Sequence, residues 1–226
     1  MATLTWFGHS AFLLETDGHK ILFDPFITGN PLSPVTAEQL HPTYILVSHG
    51  HGDHFGDTIA IAKRTKAMVI GPNELAVYCG MKGCISHPMH IGGSHIFPFG
   101  KVKLTIAHHG GGLESGGSFI YLGSPCGFLV FIEGKIFYHA GDTALFLDMK
   151  LIGEMNAIDV ALLPIGDNYT MGPDDALKAI EFLKPKKVIP MHYNTFDVIK
   201  QDVKAFAGKV RGAEVIILEP GKSWKF

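Results

Sequence analysis

Two stretches of the chain carry the same hydrophobic pattern. Phe12-Leu-Leu-Glu-Thr-Asp-Gly-His-Lys-Ile-Leu-Phe-Asp24 resembles Phe128-Leu-Val-Phe-Ile-Glu-Gly-Lys-Ile-Phe-Tyr-His139, with one residue fewer at the second turn. Each reads as a β-hairpin, two β-rich runs joined through Asp17-Gly18 or Glu133-Gly134. After each hairpin an apolar strand leads into a glycine-containing loop: Tyr44-Ile-Leu-Val-Ser-His49-Gly50, then Asp159-Val-Ala-Leu-Leu-Pro-Ile-Gly166. Helical segments come next, at 58–66 and 173–183. Pro173 followed by Asp174 and Asp175 suits a first helical turn, where acidic side chains face the positive end of the dipole. Short buried strands are expected at 67–70 and 187–190, and further strands at 101–107 and 214–218. A hairpin-plus-β-α-β unit used twice predicts an α/β architecture, two sheets face to face with helices outside: a four-layer αββα sandwich built from two similar halves. No Pro/Ser linker or charge run divides the halves, so residues 1–226 are expected to form a single domain around a shared core.

Composition narrows the function. The 226 residues, 46% hydrophobic and 18% charged, describe an ordinary globular protein with a substantial core. A net charge of -2 argues against nucleic acid as a partner, because phosphate binding needs concentrated Lys and Arg. The start, Met1-Ala-Thr-Leu-Thr-Trp-Phe-Gly-His9, shows no basic region, apolar stretch or cleavage site. No apolar run reaches the ~18 residues of a membrane span. The three cysteines, Cys79, Cys84 and Cys126, form no paired framework and read as small hydrophobes in a reduced compartment. The expectation is a cytoplasmic protein with a small-molecule substrate, no membrane or nucleic-acid partner, and room for a homo-oligomer.

Thirteen histidines are the unusual count, and their placement carries the chemistry. His49-Gly50-His51-Gly52-Asp53-His54 puts four ligand-type side chains in six residues, directly after a buried strand. The two glycines give the backbone freedom to splay those side chains toward one point. Imidazole with carboxylate suits zinc, manganese or iron, and the lack of nearby thiolates favours an open catalytic site over a closed structural one. His108-His109-Gly110, His139-Ala-Gly-Asp142-Thr143 and Pro190-Met-His192 also stand in loops behind predicted strands, where sites are commonly mounted.

This arrangement resembles the metallo-β-lactamase-fold hydrolases, a group that includes glyoxalase II, ribonuclease Z and lactonases. The resemblance runs from Trp6-Phe-Gly-His9-Ser through Gly221. Gly8-His9-Ser10, Phe23-Asp-Pro-Phe26, Pro88-Met-His-Ile-Gly-Gly93 and His139-Ala-Gly-Asp-Thr-Ala-Leu-Phe146 resemble the metal-dependent-hydrolase branch related to ascorbate-6-phosphate lactonase. Carried over residue by residue, the resemblance implies two divalent metal ions, zinc first, with manganese or iron as alternatives. One would sit on His49, His51 and His109, the other on Asp53, His54 and His192, with Asp142 and a water or hydroxide bridging them. Of the adjacent pair, His109 is preferred because small residues follow it, and strand alternation turns His108 toward the core with Val102, Leu104 and Ile106.

Two metals sharing a water would supply hydroxide at neutral pH and polarise a carbonyl or phosphoryl oxygen, so no Ser or Cys nucleophile is required. Asp142 and Asp53 are the candidate catalytic carboxylates, Asp53 also as a proton carrier. Asp24 and His139, at matching places in the two hairpins, are candidates to orient the ligands. His9 and Asn168 are candidates to touch substrate or line the pocket. Gly110-Gly-Gly-Leu-Glu-Ser-Gly-Gly117 reads as a flap or a flexible connector. The substrate expected is a small lactone, ester or phosphodiester, phosphorylated or not. Two other readings compete: a di-iron redox enzyme on the same fold, whose relatives replace the second motif histidine with Glu, and a non-catalytic metal-stabilised binding module.

Overall fold

The computed structural model describes residues 2–226. Its two principal sheets have seven strands each. The first runs, edge to edge, Ser223–Lys225, Thr3–Trp6, Phe12–Thr16, His19–Phe23, Tyr44–Leu46, Met68–Pro72, Ser86–Met89. The second runs Ser94–Phe97, Gly100–Ile106, Cys126–Ile132, Lys135–His139, Val160–Pro164, Lys187–Met191, Glu214–Val215. In both, three antiparallel pairings are followed by three parallel ones. The repeated pattern in the sequence is therefore a repeated topology. The last strand of the chain fills, in the first sheet, the edge position that Ser94–Phe97 fills in the second. Each sheet thus depends on chain from beyond its own repeat or from the connection between repeats.

The hairpins correct one detail of the alignment. Phe12 pairs with Phe23 and Phe128 with His139, across two-residue turns of equal length. The second turn has positive φ at both Glu133 (49°) and Gly134 (74°), the mirror-image turn that matches strand twist. No residue is deleted, so His139 corresponds to Phe23, on which its ring stacks at 5.2 Å, and not to Asp24.

Between the sheets lies a core in which Phe12, Phe23 and Leu46 meet Phe128, Phe137 and Leu162. A second cluster fills the outer face of the first sheet, where Ile45, Val47 and Val69 pack with Ile61 and Ala62 of helix Thr58–Thr65 and Leu75 and Cys79 of helix Asn73–Met81. Helices Asp148–Met155, Pro173–Leu183 and Val203–Lys209 cover the second sheet through Met149, Ile180, Leu183 and Phe206. The result is the four-layer αββα sandwich. Strands covered on both faces read as unbroken apolar runs, and Val160–Pro164 is buried at every position. The strand ends leading to Asp24, His49, His109, Asp142 and His192 all open at one edge of the sandwich.

Candidate metal centre

The first motif is half loop and half helix. His49 lies in the loop after strand Tyr44–Leu46, His51 is extended just before helix Gly52–Phe55, and Asp53 and His54 lie in its single turn, closed by the Phe55 N–H to the His51 carbonyl at 2.8 Å. One strand end and one helical turn therefore aim four side chains inward. Gly50 is needed for space: a Cβ there would stand 2.8 Å from the Gly111 carbonyl oxygen. Gly52 meets nothing and has an ordinary φ, so the freedom expected of it is not used.

The ligand-type atoms gather in three overlapping sets: His49, His51 and His109; His49, His54 and Asp142; and His9, Asp53, His54 and His192. Within each set they lie within 4.8 Å of one another. His51 Nδ1 is 3.0 Å from His49 Nε2 and 3.2 Å from His109 Nε2. Asp142 reaches across, its Oδ1 3.1 Å from His54 Nε2 and its Oδ2 3.0 Å from His192 Nε2 and 3.6 Å from His109 Nε2. The structure brings His9 into this company as well, with Nε2 3.1 Å from Asp53 Oδ2.

The donor chemistry fits a cation. His54 Nε2, Asp142 Oδ1 and both ring nitrogens of His192 are buried without a hydrogen-bond partner, although His54 and His192 approach Asp142 closely. Buried polar atoms are rarely left so, and a bound ion is one of the few explanations. Tautomers point the same way. Ser48 Oγ donates its one proton to Asp24 Oδ2 (2.7 Å), so it accepts from His49 Nδ1 (2.9 Å), which leaves a lone pair on His49 Nε2. His54 Nδ1 donates to the same Asp24 oxygen at 2.8 Å, which leaves a lone pair on His54 Nε2. Asp24 accepts the Ser48 backbone N–H as well, at 2.7 Å. One buried carboxylate thus turns lone pairs of two histidines toward the centre, the usual task of a group behind metal ligands.

A match to the beta-lactamase superfamily domain extends over residues 3–192. The chain is 57% identical over 226 residues to a UPF0173 metal-dependent hydrolase of Desulforamulus reducens, a match covering 98% of this chain and 99% of the relative. The chain belongs to this family of metal-dependent hydrolases. A second member, YtkL of Bacillus subtilis, is 54% identical over 222 residues, 97% of this hydrolase and 98% of the relative. Among solved structures, Igni18, a metallo hydrolase from the archaeon Ignicoccus hospitalis, superimposes with a TM-score of 0.91 at 40% identity, covering 100% of this chain and 99% of that one.

Electrostatics in the hydrolase follow from burial. Desolvation holds His49 well below the usual imidazole range, and it lowers His51 and His109 too, so these rings are neutral and ready to bind. His9 is pushed down to about 4 by burial and the nearby His192. Its Nε2–H therefore donates to Asp53, and its Nδ1 accepts from Thr195 Oγ1 at 2.9 Å. Burial opposes ionisation of Asp53, Asp24 and Asp142, but neighbouring histidines outweigh it and all three lie below the ordinary carboxylate value. His54 is the exception among the histidines: burial disfavours its charge, yet Asp142 and Asp24 on either side raise it well above the ordinary value.

Without metal, then, a proton occupies His54, and a metal ion has to displace it. That proton stabilises the metal-free fold fully below the ordinary value of ~6.5, and its contribution fades only as pH climbs through the raised value. Metal binding at pH 7 is expected to release about one proton per chain from this site, and affinity to weaken as pH falls. Calorimetry in buffers of different ionisation enthalpy reads the proton count; a value of zero would remove the competition.

The other expected residues are placed as follows. His139 is fully buried, accepts the Gly141 N–H on Nδ1 (3.2 Å) and donates from Nε2 to the Ser10 carbonyl (3.2 Å), tying the loop of Asp142 to the turn of His9. His108 is exposed and leans on Phe146 at 5.0 Å; the strand ends at Ile106, so alternation no longer governs it and the core placement expected of it is wrong. Asn168 is exposed and outside the lining of the cavity over the centre, about 210 Å³ bounded by His51, Asp53, His109, Asp142 and Tyr169. Its neighbour Tyr169 stands there in its place. The glycine-rich segment opens a β-hairpin, Gly112–Ser115 with Ser118–Tyr121. His87 and His95 face each other at 4.3 Å, and His41 accepts from Arg64 at 3.3 Å. Ser48 and Thr195 escape the sequence reading. Ser48 carries a signal, a polar residue closing the apolar run Tyr44-Ile-Leu-Val; Thr195 carries none.

Proposed function

We propose that this metal-dependent hydrolase uses two divalent ions to cleave a carbonyl or phosphoryl bond of a small molecule. The observation that carries this reading is Asp142, whose two oxygens face histidines of different donor sets at 3.0 to 3.6 Å. Six imidazoles and two carboxylates across the three donor sets, with no thiolate among them, suit zinc first and manganese or iron next. Cys126 is buried and its thiol is pushed far up by desolvation, which leaves it inert.

When bound, the ions would lower the pKa of a shared water and draw charge from the scissile oxygen. The chain itself supplies orientation and a proton path. His49, His51 and His109 fix one position, and His54 and His192 the other. Asp53 stands at the cavity wall with one oxygen held by His9, which leaves the second free to take the proton of the attacking water and return it to the leaving group. No helix among the described residues is long and apolar enough to cross a membrane. A cytoplasmic location and a single folding unit belong to the same proposal.

The test is the metal content of gently purified protein, with turnover of bis(p-nitrophenyl) phosphate and a simple lactone. Two ions per chain and hydrolysis, both lost in His51→Ala, are expected. Bound iron without hydrolysis would favour redox chemistry, and a metal-free, inert protein would sink the proposal.

A further inference from the structure

Four aromatic side chains are exposed among the described residues: Phe119 (74%), Tyr121 (67%), Tyr169 (54%) and Phe196 (37%). Two of them, Tyr169 and Phe196, stand at the metal centre, and the other two lie farther out on the hairpin that follows His109. Tyr169 lines the cavity. Phe196 packs its ring against His9 at 5.6 Å and Phe26 at 6.4 Å, beside Asp53. Phe119 and Tyr121 belong to the hairpin that springs from His109, whose root passes so near the site that a Cβ on Gly110 would lie 3.3 Å from His51 Nε2. Tyr121 borders a separate hollow of about 210 Å³ with Met89, His90 and Ile91. Scattered exposed rings need no explanation, but Tyr169 in the cavity wall and Phe196 packed on His9, which bonds the wall residue Asp53, form an aromatic rim on one opening.

Charge gives an independent constraint. No lysine or arginine lines the cavity. Lys200, near Phe196 in the chain, is held by Asp197 at 2.8 Å. On the dinuclear reading, two dications are balanced by Asp24, Asp53, Asp142 and one hydroxide, with the unprotonated histidines adding nothing. The centre is then electrically neutral. A phosphate or carboxylate on the substrate would meet neither excess positive charge nor the Arg or Lys forks that such groups are bound by.

We propose that the substrate is an uncharged ester, lactone or related acyl compound with an aromatic or similarly flat apolar group beside the bond cleaved, and that it carries no phosphate. The charge argument rests on the proposed dinuclear site; the aromatic rim does not.

Two measurements separate the claims. The first is saturation-transfer NMR on chelator-treated protein, with phenylacetamide and phenyl phosphate as probes. Ring signals of phenylacetamide are expected, with weaker ones from phenyl phosphate, and both should fade in Tyr169→Ala/Phe196→Ala. The second is kinetics of the metal-loaded enzyme on matched neutral and carboxylate-bearing phenyl esters. The neutral ester should be preferred, with kcat/KM insensitive to ionic strength, and Tyr169→Ala should raise its KM by about tenfold with kcat little changed. Tighter binding of phenyl phosphate, or a preference for the anionic ester that falls with salt, would overturn the proposal. Ring contacts without any hydrolysis would support the binding surface while refuting the proposed chemistry.

Discussion

Asp24→Asn is expected to empty the centre of metal while leaving the protein folded. In the wild type, Asp24 Oδ1 accepts the Ser48 N–H, and Oδ2 accepts both the Ser48 hydroxyl and His54 Nδ1–H. The amide oxygen of asparagine has to take the Oδ1 place, because a backbone N–H cannot accept. The NH2 group then stands where Oδ2 was, and it can only donate. Ser48 Oγ becomes an acceptor toward this new amide and sends its own proton to His49 Nδ1, which moves the imidazole proton to Nε2. His54 Nδ1 accepts a hydrogen bond from the amide N–H, so its own proton likewise sits on Nε2. Both rings now point N–H groups, not lone pairs, into the centre. Replacing a single group behind one ligand typically costs 10- to 100-fold in metal affinity, and here two ligands in different sets are reversed, so roughly a thousand-fold loss is expected.

The fold should survive this change, since every buried group keeps a partner and Asp24 sits at φ 40°, a left-handed conformation that asparagine tolerates. Asp24→Ala is the contrast. It strands three donors and places alanine in that conformation, for a cost of about 3–5 kcal/mol. Elemental analysis after gel filtration, with melting curves of the chelated proteins, reads both effects. Retention of both metals in Asp24→Asn would show that the tautomers are not set by this carboxylate.

The parts of the site legible in the sequence are those written compactly. His49 to His54 lie within one strand end and one helical turn, so local spacing reports their convergence. His109, Asp142 and His192 come from three strand ends of the other sheet, and only their position behind apolar runs announces them. His9 shows the limit. Its sequence context suggests a contact with substrate, whereas it sits fully buried with its ring 3.8 Å from that of His192. Its contact with Asp53 is made across 44 residues of chain, and that with Thr195 across 186, distances over which periodicity carries no information.

The fold divides in the same way. Helix Pro173–Leu183 buries Ala176, Ala179, Ile180 and Leu183, a regular stripe that fixes both its type and its ends. Helix Asn73–Met81 is hidden in the sequence because apolar residues ring it, with Leu75, Ala76 and Cys79 buried while Val77 and Met81 are exposed. In Asp148–Met155 the exposed Leu151 and Met155 hide the sided pattern, and Met149 alone is buried. Edge strands Ser94–Phe97 and Ser223–Lys225 are short and mostly exposed, so nothing in their pattern distinguishes them from loop.

Asp142→Ala is expected to have the largest effect on activity of any single change, and to exceed Asp53→Asn by an order of magnitude or more. Asp142 is buried, and it touches or belongs to every one of the three donor sets, through His54, His192 and His109. On the proposed dinuclear reading, its removal takes away the group that would hold the two positions together. The metal content should fall from two ions to one or none, and kcat/KM by about a thousand-fold or more, equivalent to roughly 4 kcal/mol of barrier. Stability should suffer less than the loss of a buried ion pair implies, because His54 can release its proton and keep its bond to Asp24. Asp53 is different in kind. Its side chain is 29% exposed, its hydrogen bond comes from His9 alone, and an amide oxygen can accept that bond unchanged. Asp53→Asn should therefore fold normally, loosen one metal position, and lower kcat by about a hundred-fold through the lost proton carrier. Metal counts and pH–rate profiles of the two variants decide the assignment. Equal losses, or a milder Asp142→Ala, would mean that Asp142 does not join the two positions and that the centre holds a single essential ion.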